Sequence, residues 1–212
     1  MATSRSYQSP LREAQAALTR ERILMAAKDY LENKDIETLS LRQIAELSGV
    51  SAPTVYAHFP TMDDLVGAFF YWLKPRLGLD QPLPPLAELP SLPAKFYPRY
   101  DAYGALLRNL MNRPSWDRQR HKDRGRRHGA WIESFAAELP HLTTTQRHRG
   151  ALAIASFWTP THWRWLLDTC GFTSKQAQDV ASWGIRALIE ALMRDPAGLD
   201  PHPTRPADKG KP

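Results

Sequence analysis

The 212-residue sequence contains a single cysteine, Cys170, which leaves no second thiol for an internal disulfide. No apolar run approaches the roughly 18 residues of a membrane-spanning helix, and the first residues contain no hydrophobic signal core. A glycine-rich phosphate loop, a nucleophile motif, a paired carboxylate site and metal-ligand spacing of histidines are also absent. We therefore expect a protein of the cytoplasm with no membrane, metal or cofactor, and we consider an enzyme unlikely.

The composition is that of a globular protein with a basic balance. Hydrophobic residues make up 42% of the chain. This is enough to bury a sizeable core, in one domain or in a small module plus a larger one. The formal net charge is +6, but whether it indicates nucleic-acid binding depends on where the charges lie.

Residues 39–59 contain two short helices separated by a tight turn. Ser40 and Gln43 have the spacing of a capping box, in which each side chain bonds the other residue's backbone N–H, so a helix is predicted from Leu41. Apolar positions keep helical spacing until Gly49, which can adopt the left-handed conformation that ends a helix. This arrangement predicts a helix-turn-helix.

The second helix of this motif is short and displays polar side chains. Ser51 is its predicted cap, and Pro53 is tolerated because first-turn N–H groups need no intrahelical partner. Pro60 limits the helix to barely two turns. If Val55 and Phe59 anchor it inward, the residues left on the outward side are Pro53, Thr54, Tyr56 and His58.

From about residue 19 to residue 70 the chain resembles the tetracycline-repressor (TetR) family of bacterial regulators. The most specific part is Gly49–Phe59, where Pro-Thr-x-Tyr-x-His is similar to the recognition helix of the founding repressor. The resemblance implies an all-α fold, in which an N-terminal three-helix helix-turn-helix DNA-binding domain is followed by a helical ligand-binding and dimerisation domain. Two positions depart from the family pattern: Met62 stands where a Lys often meets a phosphate, and Leu41 replaces a small polar residue.

The same resemblance implies which side chains contact operator DNA. Arg42, Ala52, Pro53 and Thr54 would face base edges, whereas Tyr56 and His58 would hold phosphates. The full set of predicted DNA-binding residues is Ser40, Arg42, Ser51, Ala52, Pro53, Thr54, Tyr56, His58 and Thr61.

The positive charge of the chain lies away from this motif. Residues 1–60 contain seven Lys and Arg and seven Asp and Glu, so the segment is neutral. The excess lies in the basic cluster 118–128. A solvated face or mobile loop is the favoured interpretation, and the alternatives are a contact with flanking DNA or a dock for an anionic ligand group.

We predict four segments: an N-terminal arm at 1–18, the DNA-binding domain at 19–66, an effector-binding and dimerisation domain at 67–194, and a disordered tail at 195–212. The arm is expected either to form a helix from Pro10, continuous with the first helix of the domain, or to extend into a minor groove. Five prolines after Asp195 underlie the expectation of disorder in the tail.

Helices are predicted along the second domain, interrupted by one proline-rich connection. The fourth helix should start after Thr61 and stop at Pro75. Residues 75–98 hold seven prolines and are expected to be extended. Further helices are expected near 100–112, 128–138 and 146–170, the last one bent at Pro160.

The final helix carries the clearest periodicity. Thr173 and Gln176 form another capping box, and apolar residues follow at spacings of three and four. The stripe could be ordinary core, but helix-turn-helix proteins usually bind paired half-sites, and the resemblance implies a four-helix interface between two subunits. The predicted interface residues are Trp163, Ala177, Val180, Ala181, Gly184, Ile185, Leu188 and Leu192.

Aromatic residues are frequent in the second domain and favour an apolar pocket. The predicted pocket residues are Trp72, Tyr103, Leu107, Trp131, Phe135, Phe157 and Trp158. The sequence is thus identified as a ligand-responsive TetR-family transcriptional regulator: a homodimer that binds a palindromic operator in double-stranded DNA and is released by a small hydrophobic or aromatic effector. Whether it represses or activates transcription is left open. The alternative is a helix-turn-helix regulator controlled by a protein partner or by no effector.

Overall fold

The computed structural model of the protein describes residues 10–111 and 113–200, and every regular element among them is helical. The arm before residue 10 and the tail after residue 200 therefore lie outside the described residues. The α-helices of the described residues are α1 (Pro10–Leu31), α2 (Leu41–Ser48), α3 (Ala52–His58), α4 (Met62–Arg76), α5 (Leu92–Ala102), α6 (Gly104–Leu110), α7 (Pro114–Glu138), α8 (Thr144–Ser156), α9 (Pro160–Arg164) and α10 (Ser174–Arg194). The all-α prediction is confirmed.

The chain divides into two compact units. The first contains the residues up to Pro82 together with Phe96–Gly125, and the second contains Leu83–Lys95 together with the residues from Arg126 onward. The domain limits expected from the sequence stay predictions. Among the described residues, no helix is long and apolar enough to cross a membrane.

In the first unit, α1 to α4 pack around a small apolar core. Ile23 of α1, Ile44 of α2 and Val55 of α3 are each 0% exposed, and Phe59 and Leu65 close the core at 1%. Full burial of such side chains stabilises the fold by about 1.5–3 kcal/mol each. This core holds α3 in place although a helix of two turns is not stable alone.

The expectation of an extended segment at residues 75–98 is wrong for most of its length, since only residues 77–85 lie outside helices. Helix α4 passes Pro75 and ends at Arg76, and α5 contains both Pro93 and Pro98. Pro93 lies in the first turn, where no N–H is needed. Tyr97 is completely buried one residue before Pro98, so packing outweighs the helix penalty of about 3 kcal/mol for an interior proline.

Burial also determines the ionisation of this helix. Tyr97 and Tyr100 are both 0% exposed, and burial raises the pKa of each phenol above its ordinary value. Both side chains therefore remain neutral at physiological pH.

The basic cluster at residues 118–128 is part of α7 and does not form a mobile loop. Gln119 and Asp123 of this segment are buried in the first unit, at 6% and 2% exposure. The predicted helix at 128–138 consequently starts too late, because α7 begins at Pro114. Packing of the two polar residues orients the helix, and most of the remaining cluster forms a solvated face of α7, as the favoured interpretation allowed.

The predicted helix at 146–170 is also divided. Helix α8 ends at Ser156, and α9 begins at Pro160 with the Thr159 side chain accepting from the His162 N–H. Pro160 thus starts a helix instead of bending one, because its first-turn position requires no N–H. A π-helical turn, Trp165–Thr169, follows α9.

In the second unit, α8 and α10 pack closely, and the end of the described chain covers α8. A Cβ on Gly184 of α10 would lie 2.4 Å from a ring carbon of Phe157, so only glycine allows this contact. A 3-10 helix, Pro196–Leu199, follows α10, and the Gln146 amide donates to the Asp200 carboxylate at 3.1 Å. The expected disorder is therefore wrong for residues 196–200.

Candidate nucleic-acid interface

Helix α2 begins and ends as its sequence predicts. The Ser40 N–H donates to Gln43 Oε1 at 2.9 Å, and the Gln43 N–H donates to Ser40 Oγ at 3.2 Å, which completes the capping box. Gly49 has a φ of 61° and ends the helix. Arg42 lies in the first turn and is exposed, so its guanidinium is free to reach a base edge.

Helix α3 is short and presents most of its polar side chains to solvent. Ser51 Oγ accepts from the Thr54 N–H at 3.4 Å, and the helix ends at His58 as predicted. Val55 and Phe59 point inward at 0% and 1% exposure, whereas Tyr56 is 50% exposed. The other predicted residues of this helix are exposed or partly exposed: Ala52, Pro53, Thr54 and His58.

Two arginines of α1 support this motif, and sequence reasoning did not identify them. The Arg20 guanidinium lies 4.5 Å from the centre of the Phe59 ring, where the positive charge meets the ring face. The Arg22 side chain donates to the Gly49 carbonyl oxygen at 3.4 Å and would lie 2.6 Å from a Cβ at that position. Both contacts join residues far apart in sequence, so no local pattern could have revealed them.

Helix α4 starts directly beyond α3 with a second reciprocal cap. The Thr61 N–H donates to Asp64 Oδ2 at 3.0 Å, and the Asp64 N–H donates to Thr61 Oγ1 at 3.2 Å. The exposed start of a helix carries partial positive charge, which the carboxylates of Asp63 and Asp64 in the first turn of α4 offset. Met62, partly exposed, supplies no cation there.

The far end of α4 is attached to α1 by a hydrogen-bonded cluster. Trp72 Nε1 and Arg76 Nη2 each donate to one carboxylate oxygen of Glu21, both at 2.7 Å. The Arg76 guanidinium also lies 3.7 Å from the centre of the Trp72 ring. Trp72, predicted to line a pocket, is thus engaged in joining α4 to the DNA-binding helices.

A buried ion pair joins α4 to α7 within the first unit. Lys74 Nζ lies 2.9 Å from Asp123 Oδ2, and the two side chains are 7% and 1% exposed. The Lys74 ammonium also lies 5.6 Å and 5.5 Å from the ring centres of Phe70 and Tyr71. Helix α4 therefore has specific polar attachments on two sides.

The predicted interface residues divide into buried and accessible groups. Trp163 is 0% exposed, and four residues of the α10 stripe are as buried in the single chain as core residues: Ala177, Ala181, Gly184 and Ile185. Leu192 is also buried, Leu188 is partly exposed and Val180 is 38% exposed. Most of the stripe is thus core of the second unit. Besides Val180, the large apolar residues of the second unit that remain accessible are Trp165 at 52%, Trp183 at 66% and Met193 at 60%.

The predicted pocket residues fall in both units. Trp72, Tyr103 and Leu107 belong to the first unit. Four belong to the second unit: Trp131, Phe135, Phe157 and Trp158. The rings of Trp131 and Trp158 meet edge to face with their centres 6.1 Å apart. Phe135 and Trp158 are each 2% exposed, whereas Trp131 is partly exposed.

A cavity of about 280 Å³ in the second unit lies between α8, α10 and the 3-10 helix Pro196–Leu199. None of the predicted pocket residues lines it, although Leu188 and Leu192 of the predicted interface do. Its lining residues are Gly150, Ala153, Ile154, Leu188, Ala191, Leu192, Arg194, Asp195, Gly198 and Leu199.

Comparison with known proteins bears on both parts of the chain. Residues 23–69 match a family described as "Bacterial regulatory proteins, tetR family". The fold resembles that of NalD, the secondary repressor of the MexAB-OprM multidrug efflux pump in Pseudomonas aeruginosa, with a TM-score of 0.60, 21% identity, and coverage of 86% of this chain and 99% of that one. A search of curated proteins finds no significant match.

Two further solved structures are similar. A tetR-family regulator from Streptomyces coelicolor gives a TM-score of 0.57 at 16% identity, covering 87% of this chain and 90% of that one. A TetR variant from Acinetobacter baumannii AYE in complex with minocycline gives 0.53 at 16% identity, covering 83% of this chain and 97% of that one. At these identities the likeness establishes the fold.

The displayed helix α3, braced by the capped helix α2, and the matched segment define a helix-turn-helix transcriptional regulator. Residues 23–69 carry the DNA-binding domain of the tetR family of bacterial regulatory proteins. The resemblance read from the sequence is thereby confirmed.

Proposed function

We propose that this regulator is a repressor, that it binds a palindromic operator as a homodimer, and that a small apolar or aromatic effector releases it. The observation that carries the proposal is α3, a seven-residue helix whose apolar residues are buried while its polar face is displayed. The repressor NalD, with a similar fold, supports the direction of control. Because the operator lies on the chromosome, the protein acts in the cytoplasm.

The proposed contacts combine recognition of base edges with binding of the DNA phosphate backbone. Arg42 and the first turn of α3, Ala52–Thr54, read base edges in the major groove, while Tyr56 and His58 hold phosphates. The helix N-termini capped by Ser40 and Ser51 add partial positive charge toward the DNA backbone. Such local placement is needed because residues 1–60 have no net charge.

We infer dimerisation from the small size of the recognition helix α3. A helix of two turns reaches few base pairs, and helix-turn-helix proteins place two such helices about 34 Å apart to enter successive major grooves. The accessible apolar residues of the π-helical turn and of α10 suit an interface with a second copy of this subunit. We propose that Trp165, Val180 and Trp183 form the interface, in place of the buried part of the predicted stripe.

We expect Arg42→Ala to relax base preference at one symmetric position of each half-site. A bidentate contact from arginine to guanine contributes about 1–3 kcal/mol of discrimination, and Arg42 is exposed on the first turn of α2. The measurement is selection of bound sequences from random DNA by the wild-type protein and by the variant. Glu46→Ala, an exposed change on the same helix, is the control. Equal weakening on all sequences would instead make Arg42 a phosphate contact.

The proposed effector site lies in the second unit, around the partly exposed Trp131 and its neighbours Phe135, Phe157 and Trp158. The minocycline complex of a TetR variant supports the binding of a polycyclic compound in a related fold. An aromatic surround favours a planar or apolar ligand. Release requires the ligand to favour a dimer in which the two α3 helices no longer match successive grooves.

We expect effector and operator to weaken each other's binding by the same factor. A coupling free energy of about 1–3 kcal/mol corresponds to about 5- to 150-fold, and linkage makes it reciprocal. Planar and apolar compounds, minocycline among them, can be titrated against tryptophan fluorescence with and without operator DNA. Trp131→Ala should weaken compound binding and leave operator binding unchanged. Equal compound affinity in both titrations would favour control by a protein partner.

A further inference from the structure

The exposed basic residues of helix α7 require an explanation beyond helix packing. Arg118, His121 and Lys122 are exposed and lie at spacings of three and four residues, which places them on one side of the helix. We call these three residues the α7 basic face. An adjoining side of the same helix carries the buried Gln119 and Asp123, so packing fixes which way the face points.

We propose that the α7 basic face binds the phosphates that flank each operator half-site. The proposal rests on the DNA binding of the helix-turn-helix and extends it to a second element. Residues 1–60, which contain the helix-turn-helix, have equal numbers of acidic and basic residues, so their net charge contributes little to DNA affinity. Affinity for duplex DNA depends strongly on neutralisation of its phosphates. The face lies in the same compact unit as α2 and α3.

Contacts within the first unit locate the face beside the DNA-binding end of α4. Arg118 Nη2 lies 3.4 Å from Asp63 Oδ1, and Gln119 Nε2 donates to the Asp63 carbonyl oxygen at 3.4 Å. Asp63 belongs to the first turn of α4, whose cap Thr61 follows the recognition helix by three residues. Arg118 is therefore held beside the start of α4, close in sequence to the end of the recognition helix.

The cations of this face are available to a new partner. The Arg118–Asp63 pair is exposed on both sides, at 53% and 57%, and such surface pairs are weak. Lys122 has no ion-pair partner within the described residues, and it lies one helical turn beyond Arg118. The nearby Asp117 is paired with Arg120. The face thus presents the charge of Lys122 together with that of Arg118, whose weak surface pair with Asp63 a phosphate can replace.

An extended backbone fits this face better than a small anion. The three side chains lie along an exposed helix surface, without the enclosed shape typical of a small-molecule site. Phosphates follow one another along a duplex, and cations in a row on a helix can hold several of them. Such contacts position the protein without reading sequence.

The test compares two duplexes that carry an operator selected from random DNA by the full-length protein. The short duplex, about 20 bp, spans both half-sites, and the long duplex adds about one helical turn on each side. Binding is measured by fluorescence anisotropy over a range of salt concentrations. The variants are Lys122→Gln and the double variant Arg118→Gln/Lys122→Gln. Lys95→Gln, an exposed lysine of the second unit, is the matched control.

We expect the wild-type protein and the Lys95→Gln control to bind the long duplex more tightly than the short one. Each lost phosphate contact should reduce the salt slope by about one and the affinity at about 0.15 M salt by about fivefold, on the long duplex alone. Base preference should not change. Unchanged binding by both variants, or equal weakening on both duplexes, would overturn the proposal. If the wild-type protein selects no sequence, the operator proposal itself fails.

Discussion

Replacing Lys74 by Met lowers the free energy of unfolding by about 3–5 kcal/mol. The substitution leaves the Asp123 carboxylate, 1% exposed, without the ammonium 2.9 Å away. Removing one member of a buried ion pair leaves the other charge with much of its desolvation cost, and this cost accounts for the size of the effect. The measurement is urea denaturation followed by far-ultraviolet circular dichroism.

Removing both charges separates the desolvation cost of the buried Asp123 carboxylate from the contribution of the Lys74–Asp123 pair to stability. We expect Lys74→Met/Asp123→Leu to recover most of the lost stability, because buried pairs replaced by apolar residues are often neutral or better. Lys175→Met, which breaks an ion pair exposed at 75% and 63%, should cost no more than about 1 kcal/mol. A loss below about 1 kcal/mol for Lys74→Met would show that water reaches the pair in solution.

We expect Trp163→Ala to destabilise the second unit by about 3–5 kcal/mol and Trp183→Asp to separate the subunits of the proposed dimer. Trp163 is 0% exposed within one chain, so its truncation leaves a large cavity in the core. Trp183 is 66% exposed, and a charge there harms the fold little but opposes an apolar interface. Urea denaturation and sedimentation velocity at several protein concentrations distinguish the two effects.

The dimer proposal predicts how each variant behaves. Trp183→Asp should be a folded monomer with weakened operator binding, and Trp183→Tyr, which keeps an aromatic ring, should remain a dimer. Trp163→Ala should lose stability at every concentration. A folded, monomeric Trp163→Ala would instead place that residue in the interface. A dimeric Trp183→Asp with unchanged operator affinity would exclude an interface formed by Trp165, Val180 and Trp183.

Features of the fold that depend on neighbours in sequence could be predicted without the structure. The capping boxes at Ser40 and Thr173 join residues three apart, and Gly49 adopts the left-handed conformation that the turn requires. The inward positions of Val55 and Phe59 followed from their spacing on one short helix. The same kind of signal, Thr143 with Gln146, marks the start of α8 and was available but unused.

Predictions that required knowledge of distant partners were less accurate. Pro98 stands inside α5 because Tyr97 and Tyr100 are buried, and a rule about proline alone cannot include that gain. Trp163 and Ala177 are apolar at the right spacing for an interface, yet the single chain already buries them. Periodicity identifies an apolar face but not the surface that covers it.

The sequence by itself determined the helix-turn-helix and the family, because caps, turns and short helices depend on contacts within a few residues. Only the tertiary structure decided how this motif is held. Glu21 contacts Trp72 and Arg76, which lie 51 and 55 positions further along the chain. Lys74 contacts Asp123 across 49 positions. Such pairs exist only when folded helices bring them together, because the energy of a buried charge depends on the surroundings that tertiary packing creates.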